Sequence, residues 1–253
     1  MSAELHHLGS TTHLLPDTIA ERNAAIRAEL LARSQYIRAP NFQIIHHTDL
    51  ELLFDGYDAA FFQGALRKAL GSVPLYFSLS KKMTRAGGRT RRTVDRNRVP
   101  LDHDITISST ILFNCFEDDH RAITVCGKPC SDRLAALQRI LEHEITHMAE
   151  YLTWNATDCS APRFRAIAMS TFGHTEHTHS LITPKESAFA QHGIRPGIMV
   201  RFNSNGILYT GHVNRVTRRA TVLVEDPRGK RYSNGKHYLK FLVPVEYLEA
   251  VEV

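Results

Sequence analysis

Apolar positions from Pro16 to about Arg38 keep helical spacing, with Ile19, Ile26, Leu30 and Leu31 on one side behind the start signal Pro16-Asp17, and the "APN" of 39–41 ends the run. A second helix is predicted from Thr48 or Asp49 through "LELLFDGYDAAFFQGALRKAL", whose Gly56 and Gly64 weaken but do not forbid it. "VPLYFSLS" (73–80) and "DITISST" (104–110) read as strands, and the basic "AGGRTRR" between them as a loop or edge-strand turn. A third long helix is expected from an N-cap at Ser131 or Asp132 through Leu134, Leu137, Ile140 and Leu141 to Tyr151. A fourth fits "PRFRAIAMSTF", between Pro162 and the stop at Gly173. Beyond "GHTEHTHSLITPKESAFAQHGIRPG" the rhythm changes to short alternating stretches, "IMVRF", "ILYTGHVNRV", "RATVLVED" and "KFLVPVEYL", separated by "NSNG", "TR", "PRGK" and "SNGK". This predicts a small antiparallel barrel of about five strands, with a boundary near 184–193.

The fold class expected is therefore α+β: a tail and helix over 1–44, a mixed domain over 45–185, and a small all-β barrel over 192–253. Composition agrees with two globular units, since the 253 residues are 43% hydrophobic and 23% charged. The polar, His-rich residues 1–15 have no period and read as a disordered tail. No apolar run approaches the roughly 18 residues of a membrane span, and the N-terminus lacks a basic region followed by an apolar core. Four cysteines, Cys115, Cys126, Cys130 and Cys159, are too few for a disulfide scaffold, so thiols in a cytoplasmic setting are expected.

Charge adds a partner. The net +5 is modest, but residues 192–253 hold ten Lys and Arg against five Asp and Glu, and "KKMTRAGGRTRRTVDRNR" (81–98) sets eight basic residues against the single Asp95. Concentrated positive charge points to a polyanion, with a solvated loop as the alternative for the first patch.

The chemistry lies in "EHEITHMAE" (142–150) on the third helix. Two histidines four residues apart share one helical face, so His143 and His147 can offer neutral imidazoles to one zinc ion. Glu144 lies near the same face and can reach a water on that ion without being a ligand, as a general base beside a Lewis acid. Peptide-bond hydrolysis is the reaction this predicts.

Four ordered segments, "LELLFDGYDAAFFQGAL", "LYFSLSKKMTRAGGRTRR", "ITISSTIL" and "DRLAALQRILEHEITHMAEYL", give the stretch from about 45 to 182 a resemblance to the SprT-like zinc metallopeptidases of the bacterial SprT and eukaryotic Spartan type. The resemblance implies a zincin-like fold, zinc on His143 and His147, Glu144 as the catalytic base, and a protein substrate associated with DNA. The family's third ligand is a histidine at the start of the next helix, in a His-Gly context; here the matching position in "DCSAPRF" is Ser160, a poor ligand. Cys159 is the substitute expected, because a thiolate bonds zinc well. Asp158 is a second option, and His174, His177 or His179 a third. Distance opposes the histidines, since a helix over 162–172 carries His174 about 18 Å from its start unless the chain folds back. Cys126 and Cys130, a C-x-x-x-C without a second pair, read as structural. The family's zinc-ribbon tail is absent.

In place of that tail stands the barrel, which resembles Tudor or KOW modules in strand rhythm. Arg215, Arg218, Arg219, Lys230 and Arg231 are its candidate nucleic-acid contacts, with Tyr209, Tyr232 and Tyr238 interleaved, a mixture that suits phosphates and bases. DNA is favoured over RNA, and no membrane partner is expected. The alternatives are a catalytically inactive member of the same fold that holds nucleic acid, and a barrel whose tyrosines pack its core.

Overall fold

The computed structural model describes residues 13–116 and 121–251, so most of the expected tail, 1–12, lies outside the described residues. The chain is α+β and divides into two compact units, Met1–Leu181 and Ile182–Val253. Among the described residues no helix is long and apolar enough to cross a membrane.

Helix α1 (Pro16–Arg33) stops short of Arg38, because the Ser34 hydroxyl accepts the N–H of Ile37 at 2.7 Å and donates to Asp49 at 2.6 Å, turning the chain. The long second helix expected is two helices, α2 (His47–Phe62) and α3 (Ala65–Leu70), broken where Gln63 and Gly64 take φ of 55° and 80°. Asp58 makes the break favourable: its buried carboxylate accepts the N–H groups of Leu66 and Arg67 at 3.0 and 2.9 Å, satisfying donors at the start of α3. Gly56 stays helical and lets α1 come close, since a methyl there would meet Ile26 at 3.3 Å.

Strands β1 (Leu75–Ser80), β2 (Gly88–Val94) and β3 (Pro100–Ser108) form one sheet in the order β1-β3-β2, with β1 parallel and β2 antiparallel to β3. The "AGGRTRR" stretch thus supplies an edge strand. Helix α4 (Ser109–Asn114) follows, started by Ser108, whose hydroxyl accepts the N–H of Ile111. A hairpin absent from the sequence expectation, β4 (Ile123–Val125) and β5 (Lys128–Cys130), turns on Cys126 and Gly127, both left-handed at φ 53° and 74°.

Helix α5 (Arg133–Trp154) begins where expected, with Asp132 accepting the N–H of Ala135 at 2.9 Å and gripped by Arg27 at 2.9 and 3.0 Å. Its apolar residues, among them Leu134, Leu137, Ile140, Leu141 and Ile145, are fully buried. Helix α6 (Pro162–Phe172) ends at Gly173, φ 67°, and the returning strand β6 (His179–Ser180) pairs with β4.

The second unit holds helix α7 (Pro184–His192), which the sequence expectation left out although Thr183 caps it, accepting the N–H of Glu186. Strands β7 (Met199–Ser204), β8 (Ile207–Val216), β9 (Ala220–Arg231), β10 (His237–Val243) and β11 (Glu249–Ala250) follow in one antiparallel sheet. The strand number matches expectation; closure does not. The sheet is open, ordered β10-β9-β8-β7-β11, because β11 is only two residues long and pairs with β7 alone. Its apolar residues, including Val200, Phe202, Val213 and Val222, pack with Ala188 and Ile194.

One buried network ties α1, α2 and α6 to α5. Glu142, wholly buried, accepts from Arg139 and from His174 at 2.8 Å each through one oxygen and from Tyr57 at 2.9 Å through the other. Gln138 donates to the Tyr57 hydroxyl and to the Asn23 carbonyl. Removing one member of a buried charged set leaves its partners unsatisfied, so Glu142→Ala is expected to cost about 3 kcal/mol or more, read as a lower urea midpoint at unchanged slope.

Candidate metal centre

Four faces meet around the motif: α5 beneath, the β2 edge on one side, the 157–159 turn on another and the 177–179 segment on the third. Together they line an open cleft of about 740 Å³ that includes Gly88, Arg89, Thr90, His143, Glu144 and His147. Helical spacing delivers the two imidazoles as the sequence implied, with His143 Nε2 and His147 Nε2 3.1 Å apart.

Such a pair is either a hydrogen bond or two lone pairs turned toward a cation. For His147 the choice is constrained by its neighbours. Its Nδ1 lies 2.6 Å from the Thr157 hydroxyl, which donates its own hydrogen to Glu150 at 2.6 Å. Thr157 therefore accepts from Nδ1–H, leaving Nε2 as the free lone pair. Glu150, wholly buried, is anchored in turn by Arg163 at 2.6 Å. A tetrahedral zinc with nitrogens at about 2.0–2.1 Å spreads them to about 3.3 Å, close to the spacing found. The donor set fits a cation.

Two trios of donor atoms, each within 4.8 Å of one another, could hold an ion: His143, His147 and Cys159, and Cys126, His143 and His179. Cys159 thus stands beside both motif histidines. Asp158 also lines the cleft, but its carboxylate accepts from the Ser160 hydroxyl at 2.7 Å and backbone N–H at 2.9 Å. Ser160 itself is outside the lining. Of the later histidines, His174 is spent on Glu142, whereas His177 and His179 line the cleft. The chain does fold back: Gly173 reverses it, and pairing of Val125 with His179 sets that ring 4.9 Å from the His143 ring. His179 Nε2 is sealed from solvent with no hydrogen-bond partner among the described residues, which marks an unsatisfied donor set. Cys126, read as structural from sequence, puts its sulfur 3.6 Å from His143 Nδ1. A two-residue strand and a tight hairpin place these two side chains. The only local signal for them is the "CG" dipeptide of a primed turn.

Burial, above all, holds the rings neutral, lowering His143 to about 2 and His147 and His179 to about 4. Neutral rings are ready ligands at pH 7. Burial and the Asp158 carboxylate raise the Cys159 thiol, which surrenders its proton only to a bound cation. Glu144 is 2% exposed, and burial pushes its carboxyl up to about 8 against the pull of Thr90 and Arg89. Thr90 Oγ lies 2.8 Å from Glu144 Oε2 and 3.0 Å from the Glu144 carbonyl. Gly88 completes the cradle, since a methyl there would sit 2.5 Å from Oε1.

The candidate nucleic-acid residues separate into two groups. Arg215, Arg218 and Arg219 are exposed around the β8–β9 turn, beside the pairing of Ala220 with Val243, whereas Lys230 and Arg231 are exposed at the other end of the β9–β10 ladder, where Arg231 meets His237. Tyr209 packs inward on Phe202 and Phe241; Tyr232 and Tyr238 meet edge to face at 5.3 Å, half-buried.

Comparison with protein-family models, with curated proteins and with solved structures returned no match for this chain.

The two trios share His143 and make opposite predictions. Because His143 and His147 face each other through Nε2 and Cys159 lines the same cleft, cobalt substitution should give a thiolate charge-transfer band lost in Cys159→Ala and kept in Cys126→Ala. The reverse pattern would put the ion between Cys126, His143 and His179.

Proposed function

We propose that the first unit is a zinc-dependent peptidase of the SprT-like kind with a zincin-like fold, and that the second unit brings it to nucleic acid, DNA before RNA. The observation that carries this reading is the pair of Nε2 atoms 3.1 Å apart, opening with buried Glu144 onto one cleft. Two imidazoles and a thiolate suit zinc better than a hard cation, so His143, His147 and Cys159 would hold it. Zinc bound there supplies Lewis acidity, polarising a scissile carbonyl and making water more acidic.

The protein's own part is proton transfer and positioning. Glu144 takes a proton from the attacking water and returns it to the leaving amide nitrogen; a carboxyl raised to about 8 holds that proton well between the two events. Thr90 fixes the carboxylate, and Gly88 leaves it room. The cleft is open to an extended polypeptide. Four free thiols among the described residues accord with a cytoplasmic setting.

An inactive nucleic-acid-binding protein is the second reading, favoured by Ser160 at the family's ligand position. Glu144→Gln decides between them: with zinc content unchanged, cleavage of a denatured protein substrate should fall at least about a hundredfold. Equal cleavage by the variant, or none by the zinc-loaded wild type, supports the second reading.

For the second unit, affinity for a single-stranded DNA oligonucleotide should fall steeply with salt, and Arg218→Glu with Arg219→Glu should flatten that slope. A flat response in the unaltered protein would assign those cations to solubility.

A further inference from the structure

We infer that the cleft takes polypeptide segments bearing acidic side chains, selected by Arg85 and Arg89 on its β2 wall. This deepens the peptidase reading and rests on it for the identity of the occupant as a substrate.

Of the basic run at 81–98, only part faces the cleft. Arg85 and Arg89 line it and are exposed, and no carboxylate pairs with either among the described residues. Arg92, by contrast, is spent: it donates to Asn155 at 2.7 and 3.0 Å and lies over the Tyr151 ring at 5.1 Å. Arg89 stands between Gly88 and Thr90, the residues that cradle Glu144, so its charge is felt at the reacting centre. The described carboxylates lining the cleft are Glu144, which is buried, and Asp158, in the 157–159 turn. The β2 wall is therefore cationic beside the point of attack.

A polyphosphate would meet the same arginines, but the strand edge favours a polypeptide. β2 is the outer strand of its sheet, and the Ser108 N–H bond to the Gly87 carbonyl at 2.8 Å fixes the alternation. Residues 87, 89 and 91 bond to β3, while Gly88, Thr90 and Arg92 turn backbone N–H and C=O away from it. An extended peptide offers both donors and acceptors to such an edge. A phosphodiester offers acceptors alone, and the outward carbonyls would face it unsatisfied.

The test uses two fluorescent peptides identical except that three glutamates in one are lysines in the other. Anisotropy with the full-length, zinc-loaded Glu144→Gln protein should show the glutamate peptide binding roughly tenfold more tightly. Arg85→Glu with Arg89→Glu should reverse the preference, and Arg89→Lys should retain it. Equal binding of the two peptides, or a preference that survives the charge reversal, overturns the inference. So does displacement of the glutamate peptide by a single-stranded DNA oligonucleotide that itself binds more tightly and depends on the same two arginines. Selective binding without cleavage of either peptide by the wild type would keep the charge selection and sink the peptidase reading. Cleavage of both at equal efficiency would keep the peptidase and sink the selection.

Discussion

A helix packed inside a domain carries Glu142, His143, Glu144, His147 and Glu150 within three turns, and each of these ionisable groups must be met or its desolvation would oppose folding. The rest of the first unit is arranged around that requirement. On one side, Glu142 is held by Tyr57, Arg139 and His174; at the far end, Glu150 is held by Thr157 and Arg163; between them, β2 presents Thr90 to Glu144. What stays unsatisfied is the set of ring nitrogens at the centre, and that concentration of free lone pairs is where a cation belongs.

The same partners that stabilise the helix also set its chemistry. Thr157 is bonded to both His147 and Glu150, so a contact that neutralises a buried carboxylate also fixes which nitrogen of His147 is free. Burial raises Glu144 into the range where it can both accept and release a proton near neutrality, and keeps the imidazoles unprotonated. The second unit is built by different means, from alternating strands over an apolar face. Its cations fall at opposite ends of one ladder rather than in one patch, so a strand of nucleic acid would have to run along β9 and β10 to meet both groups.

Local signals made much of this legible. Asp132, Pro162 and Gly173 mark the ends of α5 and α6 in the sequence, and the i, i+4 spacing of His143 and His147 fixes their common face whatever surrounds them. The break at Gln63-Gly64 was not legible, because it depends on Asp58 reaching forward to cap α3 rather than on glycine propensity. Helix α7 had readable ends, Thr183 and Gly193, but little apolar periodicity between them. Closure of the second sheet was overestimated because strand count and turn chemistry do not state whether the last strand is long enough to reach the first.

Sequence by itself determined the metal-binding helix, its base, and the division into a mixed unit and a basic all-β unit, since helical period and strand alternation are properties of neighbouring residues. Only the tertiary structure decided which side chains approach the two imidazoles. Cys126 and His179 reach His143 through a hairpin and a paired returning strand, and Thr90 reaches Glu144 across 54 positions of chain. Such contacts arise from long-range strand pairing and helix packing, whose register no local pattern encodes.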